Sequence, residues 1–314
     1  MLDASLIHHK EKRLKPLVYG VSAVVWLMVL LSMVGAIYGL MLVPFILMSH
    51  AYFLGHLRGR GVRVDERQLP ELYGRVVAAS QKLKLASVPE VYVIQSGGIL
   101  NAFATQLFSR RYVVLHSDLI DTCHSEQEVD FIIAHELAHH AAGHLKTQFF
   151  TAPVRLLPLL GPAWSRACEY TCDRAALFAV GALDPSQRAL AVLAAGNKMS
   201  AALDLTTFAH QQANSAEFWP AVAELSSSHP LLSKRVAMLA TWDAVQTRTS
   251  VMAFEAPPRP ALSYVVSIFF GQQALTLLVV FYLGFLLAAV APNFLKLQER
   301  AAQQAQGGQG QPAK

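Results

Sequence analysis

The amino-acid sequence predicts a mainly helical α+β domain with a small antiparallel sheet, flanked by N-terminal and C-terminal transmembrane helices. Two long runs, 17–54 and 261–295, contain no Asp, Glu, Lys or Arg. Short apolar runs between Val91 and His116 are typical of strands, and apolar residues elsewhere recur at helical spacing. Composition agrees, because 54% of the 314 residues are hydrophobic and only 15% are charged, which is too apolar for an ordinary soluble protein.

The first apolar run, 17–54, is too long for one straight span. As a single helix it would extend about 57 Å, against a hydrocarbon core of about 30 Å. We therefore predict a helical hairpin that turns near Gly35–Gly39, with one span continued by an interfacial helix as the alternative. Basic residues lie in the N-terminal segment 1–16 and follow the run at Arg58 and Arg60. This pattern favours a hairpin with both ends in the cytoplasm.

The second apolar run, 261–295, is predicted to hold one span, best placed around Ala274–Ala291, with an earlier part that is tilted, broken or re-entrant. Between the runs we predict a soluble domain over residues 65–256. The tail 303–314 is rich in Gln, Gly and Pro and is expected to be disordered. The expected partners are a lipid bilayer and, from the site described below, polypeptides. No basic and aromatic pattern indicates nucleic acid, and the oligomeric state stays open.

Within the soluble domain, Ser125 and Glu128 form a capping box that predicts the start of a helix, ending near Lys146. The other predicted helices cover 65–87, 165–180, 185–203 and 233–246. Strands are predicted at 91–94, 101–107 and 112–116. The proline-broken stretch 148–163 is predicted to be an irregular loop or an interfacial segment that touches the membrane, and the polar stretch 206–228 to be irregular.

The helix that begins at Ser125 carries the sequence His135-Glu136-Leu137-Ala138-His139. Two histidines four residues apart share one face of a helix, and the intervening glutamate projects toward the same cleft. Two neutral imidazoles can hold Zn²⁺, and an adjacent carboxylate can take a proton from water. His135 and His139 are therefore candidate metal ligands, with Glu136 as the candidate base. An exposed polar helix face is the alternative interpretation.

A catalytic zinc ion requires a third protein ligand, and Glu169 is the best candidate. Glu169 and Asp173 are four residues apart on a predicted helix, so the first could bind the metal while the second accepts the outer N–H of a histidine ligand. The alternative for Glu169 is a surface position beside Arg166 or Arg174, and for Asp173 a pair with Arg174 or with a neighbouring helix. His144 is interpreted as a packed histidine or an outer partner of the site rather than a ligand.

Four segments together resemble the HtpX-like membrane zinc metallopeptidases, relatives of the type I CAAX prenyl endopeptidases. They are NAFAT at 101–105, HELAHHAAGH at 135–144, SRACEYTCDRAA at 165–176 and SSHPLLSKR at 227–235. The resemblance implies a thermolysin-like zincin fold of the gluzincin type. It also implies one zinc ion per chain on His135, His139 and Glu169, with Glu136 as general base.

The resemblance further implies roles around the metal. Asn101, Ala102 and Phe103 would bind the substrate backbone by strand addition. His229 would donate to the tetrahedral oxyanion, with Arg235 as its structural or electrostatic support. A structural position at the start of a helix, before Pro230, is the alternative for His229. The sequence departs from the family at two positions, where Gln106 replaces a frequent glycine and Cys172 a frequent small residue. It also lacks apolar spans between the two motif helices.

The residues together with the resemblance predict a membrane-anchored zinc-dependent endopeptidase, and the resemblance implies that it cleaves membrane-associated or unfolded polypeptides in membrane protein quality control. The expected location is a bacterial inner membrane, with the catalytic domain on the cytoplasmic side. A non-proteolytic, zinc-bound membrane scaffold and a CAAX-type processing protease are the alternatives. The scaffold is disfavoured because it has no need of the base Glu136. The CAAX-type protease is disfavoured because two short membrane blocks cannot form a chamber of many helices.

Overall fold

The computed structural model describes residues 2–249, 258–270 and Leu278, with side chains left out for residues 33–42. The helices in chain order are α1 (His9–Leu31), α2 (Met33–Arg60), α3 (Pro70–Lys82), α4 (Ser117–Thr122), α5 (Glu126–Ala141), α6 (Ala152–Arg155), α7 (Leu160–Val180), α8 (Leu183–Ala202), α9 (Leu205–His210), α10 (Phe218–Ser226), α11 (Leu232–Thr247) and α12 (Ala261–Phe270). The strands are β1 (Val62–Val64), β2 (Glu90–Ile94), β3 (Ala102–Leu107) and β4 (Arg110–His116). The predicted tail 303–314 and, apart from Leu278, the predicted span Ala274–Ala291 lie outside the described residues.

The sheet is mixed, so the prediction of an antiparallel sheet was wrong. The strand order is β1-β2-β4-β3, and β4 runs parallel to β2 but antiparallel to β3. The reason lies in β4, where Val113, Val114 and Leu115 are all fully or almost fully buried. A strand that is apolar on both faces belongs in the middle of a sheet. β3 therefore folds back by a hairpin and takes the edge instead.

The two faces of β4 pack on different partners. Val113 and Leu115 belong to the main core, which they share with α3, α5 and α7. Tyr112 and Val114 point the other way, into a smaller cluster with Leu54 of α2. The last turns of α2 thus cover the outer face of the sheet, and the sheet separates this cluster from the core that holds α5.

Helix α5 begins as the sequence predicts. Ser125 is its N-cap and accepts a hydrogen bond from the Glu128 N–H, while the Glu128 carboxylate accepts from the N–H of His124 at 2.8 Å. The first turn is acidic, which the helix dipole favours. The helix is buried along most of its length and packs against α7 and α8. The capped start fixes where each later residue of α5 faces.

In the N-terminal part of the chain, two helices meet at a break that lies before the predicted turn. Helix α1 ends at Leu31, the next residue, Ser32, has extended backbone angles (φ −86°, ψ 128°), and α2 continues through Gly35–Gly39. Serine competes with the helix ladder through its hydroxyl, whereas glycine is common in membrane helices. The break is thus three residues earlier than predicted. Among the described residues, α1 is the one helix long and apolar enough to cross a membrane.

Two connecting segments were predicted to be irregular, and the structure supports one of these predictions. Residues 148–159 form turns and the single-turn helix α6, and α7 already begins at Leu160. Residues 206–228 are instead largely helical, with α9, a 3₁₀-helix at Gln211–Ala216 and α10. The polar sequence does not indicate these short helices, because they become buried only by packing against α11 and α12.

Candidate metal centre

His135 and His139 lie one turn apart on α5 and face the same neighbour on α7. The Nε2 atom of His135 is 3.3 Å from one Glu169 oxygen, and the Nε2 atom of His139 is 3.5 Å from the other. The two imidazole rings are 5.3 Å apart and nearly perpendicular. The sequence predicted these three residues as one set, and the folded chain brings them together.

Asp173 lies one turn beyond Glu169 on α7 and contacts the other nitrogen of His135. Its Oδ1 atom is 3.0 Å from the His135 Nδ1 atom. Asp173 is held by Arg235 of α11, which donates from Nη2 to Oδ1 at 2.6 Å and from Nε to Oδ2 at 2.9 Å. This two-point contact fixes the carboxylate in one orientation, and the carboxylate in turn orients His135.

The buried charges of this cluster favour a cation between the histidines. Burial lowers the pKa of His135, but hydrogen bonds and charge from Asp173 and Glu169 outweigh burial and raise that pKa to about 10. Burial raises the pKa of Glu169, but the two histidines and Arg235 bring it well below its usual range. The carboxylates are therefore ionised and stabilise positive charge at the point where the imidazoles converge.

The donor set fits a zinc ion. One atom each from His135, His139 and Glu169 can be chosen so that all three lie within 4.8 Å of one another. Two imidazole nitrogens and one carboxylate oxygen form a set that zinc uses in catalytic sites. Asp173 leaves the Nε2 atom of His135 free for the metal, because it occupies the other nitrogen.

Two overlapping groups of possible ligands share His144, one with His139 and Cys172, the other with Glu11 and Cys168. Both contain a thiol, and burial raises the pKa of Cys168 and of Cys172 well above the usual value. Protonated thiols are poor ligands. We therefore assign the candidate centre to the group without sulfur.

The centre lines a cleft of about 350 Å³. Glu136 also lines this cleft, next to His135 on α5. Asn101, Ala102 and Phe103 line it too, because β3 lies at the edge of the described sheet beside α5. The cleft thus combines the candidate ligands and base with a strand edge that could align an extended chain.

Comparison with known proteins adds an independent observation. A sequence model of peptidase family M48 matches residues 63–158 and 145–243, which together span more than half of the chain. The chain belongs to peptidase family M48. The predicted likeness to HtpX is confirmed, because HtpX homologues are among its relatives. The match covers both motif helices and the segment with His229 and Arg235.

Three curated relatives of this M48 chain illustrate the likeness. Plastoglobule-localized metallopeptidase 48 of Arabidopsis thaliana is 32% identical over 136 residues, which are 38% of this chain and 39% of the relative. A protease HtpX homolog of Halobacterium salinarum is 29% identical over 172 residues, covering 44% and 58%. The homolog of Thermodesulfovibrio yellowstonii is 40% identical over 93 residues, covering 28% and 32%. The chain thus spans less than two thirds of each relative, and no solved structure matches it.

The remaining predicted residues of the M48 chain lie at the rim of the site or behind it. His229 lies at the rim, where its side chain is 64% exposed and its Nε2 atom is 3.7 Å from a Glu169 oxygen. Arg235 lies behind the site, with Nη1 3.7 Å from Glu169 and its main contacts to Asp173. Arg235 thus contacts Asp173 and the candidate ligand Glu169, whereas the resemblance implied support of His229.

Sequence reasoning missed one residue of this M48 site. Glu11 of α1 is buried beside His144, with its Oε1 atom 3.2 Å from the His144 Nε2 atom. No spacing rule connects residues separated by 133 positions, so the pair appears only in the folded chain. One local signal could have pointed to Glu11. The basic segment 1–16 contains two acids, Asp3 and Glu11, and Glu11 is the one that stands among the lysines and the arginine.

Proposed function

We propose that this protein is a membrane-anchored, zinc-dependent endopeptidase that cleaves membrane-associated or unfolded polypeptides. One observation carries the proposal: His135, His139 and Glu169 converge in a cleft that also contains Glu136 and the edge strand β3. A structural metal site would be closed by four ligands and would need no neighbouring base. Three ligands, a base and a strand edge match the needs of peptide hydrolysis.

Zinc, when bound at this site, would lower the pKa of a water molecule and polarise the scissile carbonyl. Glu136 would accept the proton of the attacking water and pass it to the leaving amine. β3 would hold the substrate backbone extended through Asn101, Ala102 and Phe103, so that the scissile bond lies beside Glu136. His229 at the rim would donate a hydrogen bond to the oxygen that becomes negative.

Membrane attachment is supported by α1 and by its surroundings. Trp26 of α1 donates its indole N–H to the Phe150 carbonyl at 2.8 Å and stacks on Phe149. Phe149 and Phe150 are themselves partly exposed, next to an apolar helix. Aromatic residues of this kind are typical of the membrane interface. The 148–163 segment would therefore rest at the bilayer surface, and the cleft would face chains close to the membrane.

We place the domain on the cytoplasmic side of a bacterial inner membrane, where a role in membrane protein quality control would follow. The support is the basic residues on both sides of the first apolar run. Protease added to sealed inverted vesicles is expected to digest the soluble domain, residues 65–256. Protease added to right-side-out vesicles is expected to leave this domain intact. The opposite pattern would contradict the orientation.

Removal of the metal tests the activity. Purified full-length protein in detergent is expected to cleave unfolded casein, to lose this activity after exhaustive treatment with a chelator, and to regain it with about one equivalent of zinc per chain. A folded, protease-resistant protein serves as the control substrate and should stay intact. Undiminished cleavage after complete metal removal would refute the proposal.

A further inference from the structure

Behind the candidate ligands, a chain of hydrogen bonds leads from His139 to a carboxylate on the first helix. The Nδ1 atom of His139 is 3.2 Å from the Nδ1 atom of His144. The Nε2 atom of His144 is 3.2 Å from an oxygen of Glu11. Both His144 and Glu11 are almost fully buried, at 5% and 2% exposure, so water does not substitute for these contacts.

The end of α5 explains why His144 meets His139. Gly143 has a φ of +79°, and its N–H donates to the His140 carbonyl at 3.2 Å. The next N–H, of His144, donates to the His139 carbonyl at 3.1 Å. These two bonds form a Schellman motif, in which the residue after the glycine lies against the residue five positions earlier. Here that pair consists of two imidazoles.

The protons of this chain can be assigned without conflict. A metal on Nε2 of His139 requires the ring proton on Nδ1, which then donates to Nδ1 of His144. The proton of His144 consequently lies on Nε2 and donates to Glu11. Each imidazole N–H therefore has one acceptor, and the Glu11 carboxylate accepts the last hydrogen bond.

Glu11 is fixed by the rest of the N-terminal segment. The Thr171 hydroxyl of α7 donates to its other oxygen, and Thr171 accepts from the His8 N–H at 3.0 Å. Leu2 and Leu6 of the same segment belong to the main core. The start of α1 is thus part of the catalytic domain, and Glu11 cannot move away without disturbing several buried contacts.

We propose that Glu11 and His144 are positioning residues that orient the metal ligand His139, as Asp173 orients His135. The proposal rests on the proposed function, because it assumes a metal on His135, His139 and Glu169. The two arrangements differ in one respect. Asp173 contacts its histidine directly, whereas Glu11 acts through an intervening imidazole. Since Glu11 lies on the helix that continues into the apolar run, the membrane anchor itself completes the metal site.

Zinc affinity of the full-length protein, measured by competition with a chelator, tests this proposal. The loss of an outer hydrogen-bond partner weakens metal binding by about 10–100-fold, and we expect this range for His144→Phe. For Glu11→Gln, which keeps one acceptor and removes the charge, we expect a smaller loss, about 3–10-fold. Asp3→Asn is the matched control, because Asp3 is an exposed acid of the same segment whose carboxylate accepts hydrogen bonds from Ser5. It should change the affinity by less than about twofold.

Buried substitutions can also unfold a protein, so a second variant separates folding from positioning. Glu11→Leu combined with His144→Leu replaces the buried polar pair by apolar side chains, an exchange that proteins often tolerate. Its metal-free form should melt near the wild-type temperature, as followed by circular dichroism. We expect its zinc affinity to fall as far as that of His144→Phe.

A spectroscopic measurement distinguishes positioning from a merely structural role. In the Co²⁺-substituted wild type, the Nδ1 protons of His135 and His139 should give two hyperfine-shifted proton signals that exchange slowly with water. In the double leucine variant, the Nδ1 proton of His139 has no acceptor and should exchange rapidly with water, so its signal should be lost. The His135 signal should remain, because Asp173 still accepts the Nδ1 proton of His135. Both signals unchanged would overturn the proposal.

The outcomes also separate this proposal from the proposed function. Wild-type protein that binds zinc, together with variants that bind it equally well, would overturn the positioning role and leave the zinc peptidase intact. Wild-type protein that binds no zinc would overturn both. Weaker binding in the Glu11 and His144 variants, with normal binding in Asp3→Asn, would support both.

Discussion

Replacing Glu136 by Gln is expected to lower kcat/KM for polypeptide hydrolysis by about 10²–10⁴-fold. The amide keeps the shape of the side chain but cannot accept a proton from water. Glu136 belongs to none of the three groups of candidate ligands, so zinc content should stay near one ion per chain. The measurement pairs casein cleavage by the purified variant with elemental analysis of the same sample.

Glu126→Gln provides the matched control for this substitution. Glu126 lies on the same helix α5, but its side chain is 78% exposed and forms a surface ion pair with Arg75. Surface ion pairs contribute little to the stability of the fold, so the activity of Glu126→Gln should stay close to that of the wild type. Equal, measurable activity of Glu136→Gln and the wild type would exclude Glu136 as the base, whereas a zinc-loaded wild type without turnover would favour the scaffold interpretation.

Replacing Glu169 by Ala is expected to remove zinc and, with it, the activity. Glu169 is the only carboxylate in the assigned ligand group, and each of its oxygens faces one of the histidine ligands. The variant leaves two imidazoles, which hold the metal far less tightly than a full set of three ligands. We expect the zinc affinity to fall by more than the 10–100-fold typical of an outer partner. Chelator competition gives this affinity directly.

Asp173→Asn calibrates the effect of Glu169→Ala. The asparagine keeps a carbonyl oxygen for the His135 N–H but loses the charge that pairs with Arg235. Its zinc affinity should fall by about 10–100-fold, and excess zinc should restore activity. If Glu169→Ala bound zinc as well as Asp173→Asn does, Glu169 would be an outer partner and another residue would be the third ligand.

Most of the candidate metal centre could be predicted from the sequence because its parts follow from helix periodicity. His135 and His139 are four apart, as are Glu169 and Asp173, and each pair lies on a helix that the sequence indicates clearly. Ser125 marks the start of α5 by local capping chemistry. Such signals depend on neighbours within one or two turns, so the tertiary structure did not alter them.

The errors arose where distant parts of the chain decide the structure. Strand order depends on which strand is buried on both faces. That strand is β4, which takes a central position and therefore pairs in parallel with β2. Two contacts that the sequence did not reveal are also distant: Arg235 pairs with Asp173, 62 positions away, and His144 with Glu11, 133 positions away. No local pattern encodes contacts of this kind.

X-ray absorption at the zinc edge of the loaded, full-length protein tests the central claim most directly. The assigned centre predicts nitrogen and oxygen neighbours only, at about 2.0–2.2 Å, with the scattering pattern of two imidazoles. The overlapping groups with Cys172 or Cys168 would place sulfur on the metal. A sulfur shell at about 2.3 Å would therefore contradict the assignment to His135, His139 and Glu169.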